Sequence, residues 1–131
     1  MTKKYKAMVL SCIDPRFQPK VFNYLKRKKL TGKYSSFTIA GAAIGVTHIN
    51  FKKWQTTFIE NLFTSIQLHK INRLIVINHK DCGAAKIVNK GKKFNSSIED
   101  KIHKESFKNI EKTLKKKYPN LKVSFKTLSK K

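Results

Sequence analysis

Apolar residues are concentrated in four short segments of the length and character of β-strands. Residues 4–11 form an apolar run that ends at small residues, and residues 35–39 form a second short run. Residues 74–77 are apolar without interruption, which is typical of a strand buried on both faces of a sheet. Residues 120–128 alternate between apolar and polar positions, which predicts a last strand. The chain is therefore predicted to contain a sheet of about four strands.

The segments between the first three predicted strands have the spacing of helices. Residues 18–30 place apolar side chains in a helical rhythm. Pro19 lies in the first turn of this segment and Gly32 lies just past its end, and both are typical of helix termini. Residues 54–71 carry an apolar stripe on one side and predict an amphipathic helix.

The C-terminal half of the chain contains a short and a long predicted helix. The short helix follows Cys82 and leads into a polar loop at residues 89–97. Ser96 or Ser97 is predicted to cap a long helix that reaches about Tyr118, because a serine hydroxyl can accept a hydrogen bond from a free backbone N–H group of the first turn. The residues predicted to face inward from this helix are Ile98, Ile102, Phe107, Ile110 and Leu114.

Strands that alternate with helices favour one fold class. The prediction is a three-layer α/β/α fold with a mostly parallel central sheet of about four strands. At 131 residues the chain is expected to form a single domain, residues 1–131, large enough to bury a core. No apolar run approaches the roughly 18 residues that would cross a membrane. We therefore predict a cytoplasmic protein without a membrane partner.

Charge adds an anionic partner to the hypotheses. The formal net charge is +23, which suggests nucleic acid or another polyanion. However, all but three of the 30 basic residues are lysine, whereas arginine is the usual residue for bidentate recognition of bases and phosphates. The lysines are also spread along the whole chain. Nucleic acid therefore remains a partner that the sequence allows but does not favour.

Candidate chemistry follows the predicted strands, at the edge where parallel strands end. Cys12 follows the first strand, the small-residue loop AGAAIG (residues 40–45) follows the second, and His79 and Cys82 follow the third. Two thiolates and one imidazole form a Cys₂His ligand set for zinc that leaves the fourth tetrahedral position open, as in catalytic sites. The remaining histidines lack partners at ligand spacing and are predicted to be surface or core residues: His48, His69 and His103.

Asp14 and Arg16 share the segment that contains Cys12. Residues two apart in an extended segment face the same side, and Pro15 disfavours the helical conformation for Asp14. Asp14 is therefore expected beside the metal, with Arg16 beyond it keeping the carboxylate ionised and oriented. The ionised Asp14 could accept a hydrogen bond at the metal or itself take the fourth position. The alternative interpretation is a plain structural ion pair.

These motifs resemble those of a known enzyme family. CIDPR (residues 12–16) together with HKDCG (residues 79–83) is similar to the paired signature of the β-class carbonic anhydrases. The loop IAGAAIG and the segment FIENLFTSIQLHKINRLIVINHKDCGA also resemble that family, so that the similarity covers roughly residues 7–85. The resemblance implies a β-carbonic-anhydrase-like fold and a carbonic-anhydrase-like lyase.

The resemblance assigns a role to each candidate residue. It implies that Zn²⁺ is bound by Cys12, His79 and Cys82, with Asp14 as a fourth ligand only in a closed state. Asp14 and Arg16 would be the catalytic dyad. Gly41 and Gly83 would lie at the substrate pocket, which takes carbon dioxide and bicarbonate. The implied reaction is reversible hydration of carbon dioxide to bicarbonate by a zinc-bound hydroxide, in a homodimer or higher homo-oligomer.

Three departures from the family pattern and two alternative functions accompany this prediction. Pro15 stands where the family usually has serine, and Ala40 stands where it has asparagine. Because only four residues precede Tyr5, we expect the family's N-terminal helical arm to be absent. The same zinc site could instead hydrolyse carbon disulfide or carbonyl sulfide. The other alternative is a catalytically silent zinc-binding module whose basic surface binds a polyanion.

Overall fold

The structure is a computed structural model that describes residues 5–130. Its four strands form one sheet in the order β2-β1-β3-β4, and every neighbouring pair is parallel. The strands are β1 (Ala7–Ser11), β2 (Tyr34–Thr38), β3 (Arg73–His79) and β4 (Lys122–Leu128). The predicted α/β class with about four strands is confirmed, and the sheet is wholly parallel. Lys4, the first residue of the first predicted strand, lies outside the described residues.

Helices cover both faces of the sheet and make the three predicted layers. Their bounds are α1 (Gln18–Arg27), α2 (Ala43–Thr47), α3 (Lys52–His69), α4 (Gly83–Val88) and α5 (Ser96–Lys117). Successive strand residues point to opposite faces, so that Met8 and Leu10 join one core while Ala7 and Val9 join the other. The first core contains buried residues of α2, α3 and α5, and the second contains Leu25 of α1.

The long helix α5 begins at a different cap from the predicted one. The Asn95 side chain accepts a hydrogen bond from the Ile98 N–H at 2.9 Å and caps the helix. The prediction of Ser96 or Ser97 is therefore wrong by one or two residues. Asparagine caps helices as well as serine does, and Asn95 comes first. The hydroxyl of Ser96 instead accepts a hydrogen bond from Lys80 Nζ at 2.8 Å.

The small-residue segment after β2 is not only a loop. Residues 40–45, predicted as a loop, run into the five-residue helix α2, which is too short to show a helical periodicity in the sequence. Small residues are required here because the chain packs closely on itself: a Cβ added to Gly45 would lie 2.0 Å from the Ala40 carbonyl oxygen. This packing places Gly41 beside the end of β1.

Parallel pairing places the segments that follow the strands at one edge of the sheet. The carboxyl ends of all four strands lie at one edge of the sheet, and the segments that follow β1, β2 and β3 meet there. The candidate site is therefore expected at this edge.

Across residues 5–130, none of the helices has the length and apolar character needed to span a membrane.

Candidate metal centre

Three side chains singled out in the sequence converge at the carboxyl edge of the sheet. Cys12 follows β1, His79 is the last residue of the neighbouring strand β3, and Cys82 is the N-cap residue of α4. One ligand atom from each lies within 4.8 Å of the others, and all three residues are buried. Two sulfur atoms and one nitrogen at this spacing can hold a metal ion, and they are the ligand types that zinc takes in proteins.

The orientation of His79 tests whether a metal fits. Its Nδ1 lies 2.8 Å from the Lys80 carbonyl oxygen, which can only accept, so Nδ1 carries the hydrogen and, in the neutral imidazole, Nε2 keeps a lone pair. This Nε2 is buried and has no hydrogen-bond partner in the described part of the chain. Phe17 stacks on the imidazole with ring centroids 4.1 Å apart and fixes its plane. A buried lone pair without a partner is costly, and a metal ion on this atom would satisfy it.

The two thiols already favour one thiolate. A hydrogen bond with the Cys82 thiol lowers the pKa of Cys12 well below its ordinary value, and the same interaction raises the pKa of Cys82. The Gly41 N–H group also donates to Cys12 Sγ at 3.3 Å. The thiolate is the form of cysteine that binds metals. The donor set therefore fits a thiophilic ion such as zinc, held by Cys12, His79 and Cys82.

Asp14 lies next to this cluster but is turned toward Arg16. Arg16 Nη2 is 2.7 Å from Asp14 Oδ2 and Nε is 3.1 Å from Oδ1, so that both carboxylate oxygens are engaged. These hydrogen bonds lower the pKa of Asp14 to about 2. Asp14 Oδ2 is 3.8 Å from His79 Nε2. The Asp14 carboxylate is therefore ionised and close to the Cys12–His79–Cys82 cluster, and Arg16 fixes its orientation.

The path of the chain at Arg16 differs from the predicted extended segment. Asp14 is extended as expected before Pro15, with φ −57° and ψ 118°, but Pro15–Phe17 then forms a 3₁₀ turn. Pro15 suits the first position of such a turn because it has no N–H to satisfy. The Arg16 backbone N–H donates to Asp14 Oδ1 at 2.9 Å. Arg16 thus reaches Asp14 by turning back, and the prediction that Arg16 lies in an extended segment is wrong.

Sequence reasoning missed a third member of the ion-pair group. Arg16 Nη1 donates to Asp81 Oδ2 at 2.9 Å, and Arg16 Nη2 donates to the Asp81 carbonyl oxygen at 3.0 Å. Lys86 and Lys130 also pair with the Asp81 carboxylate, at 3.0 and 3.3 Å. Asp81 stands between His79 and Cys82 in HKDC, and that position was the available signal. Arg16 therefore connects the segment after β1 to the turn after β3.

A buried carboxylate behind the same turn was also missed. Glu99 of α5 accepts hydrogen bonds from the backbone N–H groups of Asp81 and Cys82, both at 3.0 Å, and His103 lies against it. Burial raises the pKa of Glu99, but the hydrogen bonds from Cys82, Asp81 and His103 together outweigh it and the pKa is lowered. His103, predicted only as a surface or core residue, is 2% exposed and belongs to this group. The i, i+4 spacing of Glu99 and His103, which places both on the same side of α5, was the signal.

A cleft of about 560 Å³ opens beside the Cys12–His79–Cys82 cluster. Gly41 and Gly83, the residues that the resemblance placed at the substrate pocket, both line it. The other lining residues are Cys12, Ile13, Asp14, Pro15, Arg16, Ala40, Phe51, Trp54, Ala84 and Ile87. The walls are mainly apolar, and the charged groups are gathered on the side of Asp14 and Arg16. The cleft therefore offers a small apolar molecule a path to the cluster.

Gly41 is predicted to tolerate no side chain, whereas Gly83 is predicted to tolerate one. Gly41 has φ +79°, and an added Cβ would lie 2.6 Å from the Ala84 Cβ, while a Cβ on Gly83 meets nothing within 4 Å. A left-handed backbone costs about 1–2 kcal/mol and overpacking typically about 1–3 kcal/mol. We expect Gly41→Ala to lower the free energy of unfolding of the metal-free protein by about 2 kcal/mol or more. Urea denaturation of Gly41→Ala and Gly83→Ala measures the free energy of unfolding. Equal values for the two variants would contradict the prediction.

Comparisons with known proteins identify the family. Residues 1–126 match the model of a family described as putative carbonic anhydrase. An uncharacterized protein of Rickettsia bellii (strain RML369-C) is 25% identical over 117 residues, which are 88% of this chain and 71% of that protein. An uncharacterized protein of Rickettsia conorii (strain ATCC VR-613 / Malish 7) is 24% identical over 117 residues, which are 88% of this chain and 63% of that protein. The chain thus spans less than two thirds of the second relative.

Two solved structures share the fold. A carbonic anhydrase from Glaciozyma antarctica superposes with a TM-score of 0.61 at 17% identity, covering 99% of this chain and 79% of that one. The β-carbonic anhydrase CafA of Aspergillus fumigatus gives a TM-score of 0.60 at 12% identity, covering 98% of this chain and 72% of that one. With its parallel four-stranded sheet and its Cys-His-Cys cluster, the chain belongs to the putative carbonic anhydrase family and has the β-carbonic anhydrase fold.

Proposed function

We propose that this chain is a zinc-dependent carbonic anhydrase that catalyses the reversible hydration of carbon dioxide to bicarbonate. Cys12, His79 and Cys82 would hold the zinc. The observation that carries the proposal is the buried His79 Nε2, which lacks a hydrogen-bond partner among the described residues. His79 also offers one ligand atom within 4.8 Å of the sulfur atoms of two buried cysteines. Family membership supports the same reaction.

The residues of the chain would contribute positioning and charge. Zinc held at three protein ligands would supply an acidified water as nucleophile near neutral pH, since it lowers the pKa of water toward about 7. Asp14 would accept a hydrogen bond from the attacking water and thereby orient it, because its low pKa keeps it an acceptor. Arg16 would hold Asp14 away from the metal, through the two hydrogen bonds of 2.7 and 3.1 Å. Asp14 would then not compete with solvent and substrate for the metal.

The cleft supports carbon dioxide as the substrate. Carbon dioxide is apolar and small, and Gly41, Gly83 and the apolar side chains of Ile13, Phe51 and Ile87 line the approach to the cluster. Bicarbonate, the product, is an anion. A net charge of +23 would attract it, and the Arg16 guanidinium lines the same cleft. The proposed substrate pocket is therefore the part of the cleft between Gly41 and Gly83.

The pH dependence of hydration tests the proposal. Two thiolates donate more charge to zinc than neutral ligands do, so the attacking water is expected to be less acidic than on three histidines. We expect the hydration rate of the zinc-loaded protein to rise between about pH 6.5 and 9, and stopped-flow measurements with an indicator dye follow it. Metal-free protein is the control and should show only the uncatalysed rate.

The same sample separates the proposal from its alternatives. Turnover of carbon disulfide or carbonyl sulfide without hydration of carbon dioxide would assign another substrate to the site. A zinc-loaded protein that hydrates none of these molecules, and that binds duplex DNA with steep salt dependence, would favour the polyanion-binding module. A hydration rate that is flat from about pH 6.5 to 9 would contradict the proposed water chemistry.

A further inference from the structure

The turn that carries Cys82 is held by a single buried side chain. Asp81 has a positive φ of 59°, an unfavourable conformation for a residue with a side chain. Glu99 Oε1 accepts the Asp81 N–H and Glu99 Oε2 accepts the Cys82 N–H, both at 3.0 Å. One carboxylate therefore satisfies two successive backbone N–H groups and holds the strained residue between the two metal-ligating positions.

Glu99 is in turn oriented by a chain of hydrogen bonds whose directions are fixed. The Ala43 backbone N–H can only donate, and it donates to Asn78 Oδ1 at 3.0 Å, so that Asn78 Nδ2 faces His103. Asn78 Nδ2 then donates to His103 Nδ1 at 2.8 Å. His103 Nε2 therefore carries the hydrogen and donates to Glu99 Oε2 at 3.0 Å. Each hydrogen bond from Ala43 to Glu99 therefore has a single assignment of donor and acceptor.

Three side chains of this hydrogen-bond series are deeply buried, and burial of polar and charged groups is energetically unfavourable. Asn78, Glu99 and His103 are 1%, 3% and 2% exposed. Burying an ionised carboxylate is unfavourable unless it is fully hydrogen-bonded, and Glu99 is one of only seven acidic residues in the chain. Its hydrogen-bond acceptors are directed at the turn after β3. The same turn presents the Asp81 side chain and carbonyl to Arg16.

We propose that Glu99, oriented by His103 and Asn78, is a positioning residue that fixes the Asp81–Cys82 backbone so that Cys82 can bind the metal and Asp81 can hold Arg16. The inference rests on the proposed metal site, but it concerns the residues behind that site and not the reaction. It gives α5 a second role besides packing on the sheet. It also links α2, through Ala43 and Asn78, to the metal-ligating turn.

The experiment compares zinc affinity and backbone protection in matched variants. Glu99→Gln keeps the size of the side chain but offers one acceptor oxygen, so that its amide opposes one of the donors now satisfied. Because loss of an outer partner of a metal ligand typically costs 10–100-fold in affinity, we expect about that loss of zinc affinity in competition with a chromophoric chelator. Glu111→Gln, an exposed residue of the same helix, is the control and should bind zinc as the wild type does.

Two His103 variants provide the rescue test. His103→Gln can still donate a hydrogen bond to Glu99 from a similar position, whereas His103→Leu cannot. We expect His103→Leu to lose zinc affinity and His103→Gln to recover most of it. In metal-free protein, the amide hydrogens of Asp81 and Cys82 should exchange at least about tenfold faster in Glu99→Gln than in the wild type, because their acceptor is lost.

The outcomes separate positioning from stability and from catalysis. Wild-type zinc affinity and wild-type amide protection in Glu99→Gln, with only a lowered melting temperature, would overturn the inference. Weakened zinc binding in Glu99→Gln would support it even if the wild-type protein, loaded with zinc, hydrated no carbon dioxide. That second result would contradict the proposed function alone. A wild-type protein that binds no zinc would overturn both.

Discussion

Replacing Cys82 by serine is expected to abolish zinc retention and, with it, catalysis of hydration. Serine has a hydroxyl with a much higher pKa than a thiol, and it cannot supply the thiolate that zinc requires. We expect the zinc affinity to fall by more than about 100-fold, since loss of an outer partner alone costs about 10–100-fold. Zinc content after dialysis, measured by atomic absorption, gives the stoichiometry, and the stopped-flow hydration rate is measured on the same sample.

The neighbouring residue provides the matched control for zinc retention. Gly83→Ala changes the position next to Cys82, where an added Cβ meets nothing within 4 Å, and it should keep one zinc per chain. Cys12→Ser should behave as Cys82→Ser does, because each sulfur is one of three ligand atoms within 4.8 Å. Full zinc retention in either serine variant would contradict the assignment of these cysteines as ligands.

Replacing Asp14 by asparagine is expected to lower the hydration rate about 100-fold while the protein keeps its zinc, as is typical for loss of a positioned acid–base group. Asparagine keeps the shape of the side chain, but it loses the negative charge and one acceptor oxygen. The Asp81 carboxylate then remains as an ion-pair partner of Arg16. Stopped-flow rates with measured zinc content test this, and Asp100→Asn, which changes a largely exposed carboxylate, is the control. Unchanged turnover in Asp14→Asn would contradict the role of the dyad.

The low pKa of Asp14 sets the sign of its pH dependence. Because hydrogen bonds from Arg16 lower the pKa of Asp14 from 3.8 to about 2, the Asp14–Arg16 pair stabilises the fold above pH 3.8. That contribution is lost as the pH falls through about 2. Asp14 is therefore ionised throughout the pH range of the hydration assay. Its own titration should add no step to the rate profile.

More than half of the acidic residues of this strongly basic chain lie in one region of the fold. Asp14, Asp81, Glu99 and Asp100 are four of its seven carboxylates, and all four lie at the carboxyl edge of the sheet or at the start of α5. Each is paired with a basic side chain or with backbone N–H groups. Asp14, Asp81 and Glu99 therefore contact the segments that carry Cys12, His79 and Cys82, whereas Asp100 is a largely exposed partner of Lys80.

Much of the fold and the centre of the site could be predicted from local sequence. The uninterrupted apolar run of β3 identified a strand buried on both faces, and the parallel arrangement then placed Cys12, His79 and Cys82 at one edge. These predictions depend on strand periodicity and on the position of a residue relative to a strand end. Both are properties of a few consecutive residues.

The parts that could not be predicted depend on contacts between distant segments. Glu99 is 17 residues beyond Cys82, and only the docking of α5 brings its carboxylate to the Cys82 N–H. Arg16 reaches Asp81, 65 residues away, because a 3₁₀ turn replaces the expected extended chain. Helix α2 has five residues, which is too few for a helical periodicity to be visible.

A zinc titration of the hydration rate tests the central claim most directly. Metal-free protein receives increasing zinc, and the stopped-flow rate of carbon dioxide hydration is measured at each step together with the bound zinc. We predict a rate that rises in proportion to bound zinc and reaches a plateau at one equivalent per chain, as expected from the single Cys12–His79–Cys82 cluster in residues 5–130. A protein that binds one equivalent of zinc and hydrates carbon dioxide no faster than the buffer would contradict it.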